Sequence, residues 1–265
     1  MLGSGGMLGQ MVSRHFGARH AVVEFNERYS NARRKSFIDA VLALAPDVVI
    51  NCIGLIKQKS DDAAELYAVN AVLPFDLARA LAPETLLVHP STDCVFDGLA
   101  SAPYANDDPP DAGDDYGWSK ALGECAVTSR RSGGCVVRVS IIGPDRRPSG
   151  KGLLAWFLSQ ADGSSVPGFA DHFWNGITTL EWCKQVDQLI VSPLARGVKS
   201  FPRLLQLGTR REYSKLEMLG LFNAAFGRDV RIEHRAHGVR QYRCLRPDFE
   251  SPDLDQQLAE IRVHV

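Results

Sequence analysis

No run of apolar residues in this chain approaches the ~20 needed to cross a bilayer as a helix. An excess of one charge is also missing: 30 Lys+Arg stand against 31 Asp+Glu, a net −1 over 265 residues. That balance removes the case for a nucleic-acid or membrane-surface partner. Cysteine is sparse and scattered. Its six positions (Cys52, Cys94, Cys125, Cys135, Cys183, Cys244) form no Cys-x-x-Cys and no Cys/His ligand spacing, which argues against a metal centre or a disulfide framework. A reduced compartment follows. The N-terminus shows no basic, apolar, small-residue leader pattern, so the expected location is the cytoplasm. There is no internal repeat and no low-complexity linker. One further shortage is local. Only Met1 and Leu2 precede Gly3, where a first strand would supply about four or five apolar residues. The expectation is that residues of that strand are missing.

What the chain does have is alternation. Strand-like apolar runs at 21–25, 47–52, 86–89 and 135–142 are separated by helical patterns at 8–16, 37–44, 63–81 and around Tyr116. Continuous β-branched runs between helices indicate a parallel sheet buried on both faces. The predicted fold class is therefore α/β, a doubly wound, Rossmann-like sheet with ligand bound beyond the carboxyl ends of the strands. Those ends carry Asn51-Cys52-Ile53-Gly54, Ser91-Thr92-Asp93 and Ser140 to Gly143. Beyond Gly143 the regularity is broken by Pro144, Pro148, Gly150, Gly152, Gly163 and Pro167, with helical patterns near 153–160, 180–189 and 214–226. The expected organisation is a dinucleotide-binding domain over 1–143 and a smaller substrate-binding lobe over 144–265, some of whose segments return to the sheet.

Two motifs carry chemistry. Gly3, Gly6 and Gly9 make a Gly-x-x-Gly-x-x-Gly run leading into a helical pattern. Such glycines allow a tight turn and let backbone N–H groups approach a phosphate at the positive end of the helix, while Gly9 allows close helix–sheet packing. Alone, the run could be a plain turn. The second motif is Asp115-Tyr116-Gly117-Trp118-Ser119-Lys120. A spacing of four puts Tyr116 and Lys120 on one helix face, where an ammonium favours the ionised phenol. A phenol tuned in this way can exchange a proton with a substrate oxygen. Alone, the pair could be an aromatic beside a solvated lysine.

In combination the motifs are more specific. Gly3 to Gly9, Asn51 to Gly54, Ser91-Thr92-Asp93 and Tyr116/Lys120 occur in the order and spacing of the extended short-chain dehydrogenase/reductases. The run Ser91-Thr92-Asp93-Cys94-Val95-Phe96-Asp97-Gly98, with Tyr116 24 residues after Thr92, resembles the dTDP-4-dehydrorhamnose reductase family. The resemblance covers most of 1–145, then continues loosely through 152–157 and 176–180. It implies a catalytic triad of Thr92, Tyr116 and Lys120. Hydride would pass from a nicotinamide to a sugar ketone, with Tyr116 protonating the alkoxide. Thr92, or nearby Ser91, would hold that oxygen, and Lys120 would lower the phenol pKa and bind the nicotinamide ribose. Cofactor contacts are expected at Gly3, Gly6, Met7, Leu8, Asn26, Arg28, Cys52, Ile53, Gly54, Tyr116 and Lys120.

Cofactor choice turns on Glu24-Phe25-Asn26-Glu27-Arg28, with Arg33 and Arg34 nearby. No aspartate ends the strand and arginine is abundant, which favours NADPH over NADH. Asn70 matches a helix asparagine of the family and is expected near substrate together with Asp93, His172, Trp174 and Asn175. The aromatic residue that the family carries just after Ser140-Ile141-Ile142-Gly143 is missing here, and the family's metal-linked glutamates do not map onto the chain, so no metal is carried over. The implied activity is 4-keto reduction of a nucleotide-linked deoxy sugar for surface polysaccharide or glycan synthesis, by a monomer or homodimer. The competing expectations are a nucleotide-sugar epimerase or dehydratase, and a non-catalytic NADP-binding regulatory protein.

Overall fold

The computed structural model describes residues 1–60, 62–145, 147, 152–196 and 201–265; the breaks expected at Pro148 and Gly150 lie outside them. The apolar runs form a five-stranded sheet in the order Val48–Ile50, Leu86–Ser91, Gly134–Val139, Leu204–Thr209, Phe249–Ser251. Val49 pairs in parallel with Leu87, Val88 with Cys135, and Glu250 with Gly208. Leu86, Leu87, Val88, Cys135, Val136 and Val137 are each at most 1% exposed. Successive strand residues face opposite ways, so both faces of these strands are covered and the parallel α/β reading holds. The short first segment joins through Leu2, which bridges in parallel to Phe25 and Asn51. Of the strand expected at 21–25, only the Phe25 bridge forms among the described residues.

The chain divides into two compact units that interleave along the sequence. The first comprises Met1–Phe96, Pro109–Arg138 and Cys183–Leu205. Its core packs Leu2, Phe37, Val41, Val49, Leu73, Leu77, Leu87, Val127 and Val136 together. Helix Met7–Gly17 is anchored by His15 and by the following His20, both against the Asp187 carboxylate. The long helix expected at 63–81 has a defect in its middle. Ala63–Tyr67 and Leu73–Ala80 are α-helical, and Ala68–Val72 between them is a π turn in which Leu73 N–H reaches back to Ala68 O. Pro74 supplies the cause. It has no N–H for the Asn70 carbonyl four residues earlier, and its ring would clash with that carbonyl in an α turn.

The second unit comprises Asp97–Asp108, Val139–Trp182 and Gln206–Val265. In it Ser165–Phe169 pairs in parallel with Arg231–Arg235, and His172–Trp174 lies between Gln241–Tyr242 and Tyr213–Ser214. Helix Lys215–Phe226 starts with a Ser214/Glu217 capping box and stops at Gly227, whose φ of +62° suits glycine. No helix among the described residues is long and apolar enough to cross a membrane.

Candidate active site

The glycine turn is shaped by contacts that exclude side chains. Gly3 has φ +79°, and a Cβ there would lie 2.9 Å from Ile53 Cγ1. A Cβ at Gly9 would come within 2.0 Å of Gly3 O. The close packing foreseen for Gly9 is thus against the turn's own backbone. At Gly5 a Cβ would meet nothing within 4 Å, and at Gly6 only Gly3 O at 3.7 Å, so the outer side of the turn is open. Gly6 caps helix Met7–Gly17 without a side-chain bond, and the first turn contains no acidic residue. The first-turn amides of a helix lack acceptors within it, and the helix dipole is positive at that end. This arrangement fits a cofactor diphosphate.

Beside the turn, Ser4 Oγ donates to Asn26 Oδ1, tying it to the end of the second apolar segment. Among the described residues Arg28 makes a 3.4 Å contact with Glu65 alone, and its side chain is 87% exposed. Arg34 is committed, since its guanidinium grips both Asp76 oxygens at 2.7 and 2.9 Å. Of these two arginines, Arg28 is the one with freedom to reach a ligand.

Tyr116 and Lys120 lie on helix Asp115–Thr128, which is capped by Asp114 accepting from Gly117 N at 2.9 Å. Gly117 and Gly123 let this helix approach the turn at Cys94 and the helix turn at Asn70 closely. A Cβ on Gly117 would be 2.1 Å from Cys94 O, and one on Gly123 would be 2.2 Å from Asn70 O. Leu8, Asn51 to Ile56, Asn70, Ser91, Tyr116 and Lys120 line one cavity of about 160 Å³. It joins the start of the first helix to the tyrosine and lysine. A larger cavity of about 380 Å³, lined by apolar residues such as Val12, Phe16, Val23 and Val49, contains neither.

Burial sets the protonation of the pair. The Tyr116 phenol is pushed well above its ordinary value by desolvation first and the Cys94 thiol second, with the Thr92 hydrogen bond opposing. The direction is opposite to the lysine-lowered phenol expected from the spacing: desolvation leads the shift, and Lys120 is not among the groups that set it. Burial also pushes the Lys120 amine down to about 8, against the opposing pull of Glu124 and Cys52. Lys120 Nζ donates to Pro90 O at 2.7 Å. One turn further on, Glu124 is gripped by Arg138 through contacts of 2.8 to 3.0 Å, with both side chains 4% exposed. Arg138 also lies 5.1 Å over the Phe96 ring. The Cys52 thiol is pushed up to about 12 by burial and is a packing group at neutral pH.

The two hydroxyls after the strand differ. Thr92 Oγ1 accepts from Cys94 N at 3.1 Å and donates to Asp93 Oδ1 at 3.0 Å. Ser91 Oγ is buried at the cavity with no partner among the described residues. Asn70 is 0% exposed and spends its amide on the chain itself. It accepts from Leu55 N at 2.9 Å, and it donates to Leu55 O at 2.8 Å and Ser119 Oγ at 3.0 Å. Asn70 thus holds the 53–56 loop to the tyrosine helix while lining the cavity. Asp93 is buried against Thr92.

The remaining predicted residues belong to the second unit. His172 stacks on Phe169 with ring centroids 4.9 Å apart. Trp174 Nε1 donates to Ser140 Oγ at 2.6 Å. Asn175 donates to Thr209 O and Leu245 O and accepts from Leu245 N. Trp174 and Asn175 therefore use their polar groups inside that unit rather than offering them to a ligand. Sequence reading missed His89, Glu124 and Arg138. A lone arginine in a valine run and a glutamate four residues after Lys120 were the available signals.

Comparison with known proteins gives this geometry a lineage. A dTDP-4-dehydrorhamnose reductase of Mycolicibacterium smegmatis is 33% identical over 143 residues, which is 52% of this chain and 43% of its own length. A probable dTDP-4,6-dihydroxy-2-methyloxan-3-one 4-ketoreductase of Streptomyces antibioticus is 34% identical over 144 residues, covering 52% of this chain and 49% of that protein. The matched stretch thus spans about half the length of these curated relatives. In fold, the chain superposes on a Bacillus anthracis dTDP-4-dehydrorhamnose reductase crystallised with NADP, with a TM-score of 0.84 over 100% of this chain and 98% of that one, at 17% identity. The family described as RmlD substrate binding domain matches residues 1–166, the greater part of the chain, and the protein belongs to that family.

Proposed function

We propose that the protein is an NADPH-dependent reductase acting on the 4-keto group of a nucleotide-linked deoxy sugar, in the synthesis of surface polysaccharide or glycan. One observation carries the reading: Leu8 of the glycine-turn helix and the Tyr116/Lys120 pair line the same cavity. The names borne by the relatives support the reaction type. NADPH would lie with its diphosphate at the Gly3–Gly9 turn, its adenine ribose near Asn26 and Arg28, and its nicotinamide by Cys52 to Gly54. When bound there, it supplies the hydride.

The chain's own residues do the rest. Tyr116 holds its proton firmly and gives it up only as negative charge develops on the ketone oxygen. The Thr92 hydroxyl, held between Cys94 N–H and Asp93 Oδ1, sits beside the phenol, while the Ser91 hydroxyl, without a partner among the described residues, is placed to donate to the ketone oxygen. Lys120, fixed on Pro90 O, presents its remaining N–H groups to the ribose hydroxyls. The test is NADPH oxidation over a panel of nucleotide 4-keto sugars with wild type and Tyr116→Phe. The expected result is turnover on at least one sugar by wild type, and loss of turnover with intact NADPH binding in the variant. Near-normal rates in Tyr116→Phe would overturn the mechanism.

A further inference from the structure

Arg138 is a buried charge that the proposed reaction does not use, and it is the one charged residue of strand Gly134–Val139. Stability alone does not account for its ion pair with Glu124. Taking two charges out of water is costly, and well-packed apolar residues of similar volume in their place are often neutral or stabilising. Fixing register is the best-attested use of such buried polar groups. The contacts of Arg138 show which elements are registered.

From the strand its side chain reaches two elements. Nε and Nη2 engage the Glu124 carboxylate together at 2.8 to 3.0 Å, a fork that fixes angle as well as distance. Glu124 lies one turn beyond Lys120 and about two beyond Tyr116 on helix Asp115–Thr128. The guanidinium also lies 5.1 Å over the ring of Phe96, which is fully buried. Phe96 closes the turn that begins at Thr92. Its N–H donates to Asp93 O at 3.0 Å, and Cys94 N–H donates to Thr92 Oγ1 at 3.1 Å. The helix meets this turn directly at one point, where Gly117 packs on Cys94 O. About a single point a helix could swing. Glu124 lies seven residues on, so Arg138 supplies a second tie about 10 Å along the axis.

We propose that Arg138 is a positioning residue: by gripping Glu124 and facing Phe96 it locks the Thr92 turn against the tyrosine helix, and so sets where the Thr92 hydroxyl meets the Tyr116 phenol. The catalytic consequence rests on the reductase reading, in which that phenol gives its proton to the ketone oxygen. Misplacing a reacting group by about 1 Å can cost about 10²-fold in rate. A charged fork holds its angle where apolar side chains in the same space would let helix and turn slide.

The test replaces both charges at once, Glu124→Leu with Arg138→Met. The melting temperature should match or exceed that of wild type, because no charge is left stranded. NADPH affinity and substrate KM should stay within about twofold, while kcat falls by about fivefold or more. In 13C-tyrosine-labelled protein the Tyr116 Cζ signal, assigned by Tyr116→Phe, should shift as the Thr92 hydroxyl leaves its place. A folded double variant that loses less than about fivefold in kcat, or whose Tyr116 signal stays in place, overturns the proposal. Should the double variant fail to fold, Phe96→Leu, which removes the ring and leaves the ion pair, decides by the same two readouts. Should wild type turn over no sugar, the reductase reading falls, and the Tyr116 signal alone judges Arg138.

Discussion

Helices Asp115–Thr128 and Lys215–Phe226 begin alike and are used differently. Each starts at a side-chain cap, Asp114 on one and Ser214 with Glu217 on the other. The second then buries Met218, Leu219 and Phe222, an apolar stripe worth roughly 1.5–3 kcal/mol per large side chain. The first buries Ala121 and Val127 too, but also Ser119, Lys120 and Glu124, groups that gain little from leaving water and must each find a partner. Burial stabilises one helix and sets protonation states on the other.

The sharpest break in this comparison should come from Tyr116→Phe. It is expected to cut kcat by about 10²- to 10⁴-fold with NADPH affinity unchanged, while Phe222→Leu on the packing helix leaves kcat alone; steady-state kinetics with a cofactor titration separates the two. Next comes Glu124→Ala, which removes the buried carboxylate that grips the Arg138 guanidinium and should cost about 3–5 kcal/mol in a denaturant melt. Phe222→Ala should cost a similar amount by opening a cavity. A loss under about 1 kcal/mol at Glu124 would show that the ion pair is not structural.

Lys120→Met should stabilise the protein at pH 7, by on the order of 2 kcal/mol, because an amine lowered from 10.5 to about 8 weakens folding wherever it must be charged. Between about 8 and 10.5 the unfolded chain binds the extra proton, so wild-type stability rises with pH there and the gain from Lys120→Met should shrink. Thermal melts across that window test the sign; a gain that grows instead would refute it. The smallest effect is Ser214→Ala, about 1 kcal/mol from a lost cap, read from the denaturation midpoint with activity intact.

Much of the sheet was legible because strands buried on both faces leave continuous apolar runs, as at Leu86–Val88 and Cys135–Val137. The tyrosine–lysine face was legible because helical spacing is simple geometry. Spacing does not report desolvation, however, so the direction of the Tyr116 shift was misjudged. Nor does it report which polar groups are already engaged. Arg34 counts as a cofactor arginine until Asp76 is found beside it, and Asn175 as a substrate residue until Thr209 and Leu245 take its amide. His89 closes an apolar run, and only the fold puts it against a lysine 31 residues away.

The π turn at Ala68–Val72 has a consequence for tracing ancestry. A π turn holds one residue more than the α turn it replaces, so the stretch before Pro74 is out of phase with any relative whose helix is plain. Aligning the two without a one-residue gap would pair Asn70 with a neighbour on the wrong side of the helix, and a real correspondence would look like a loss.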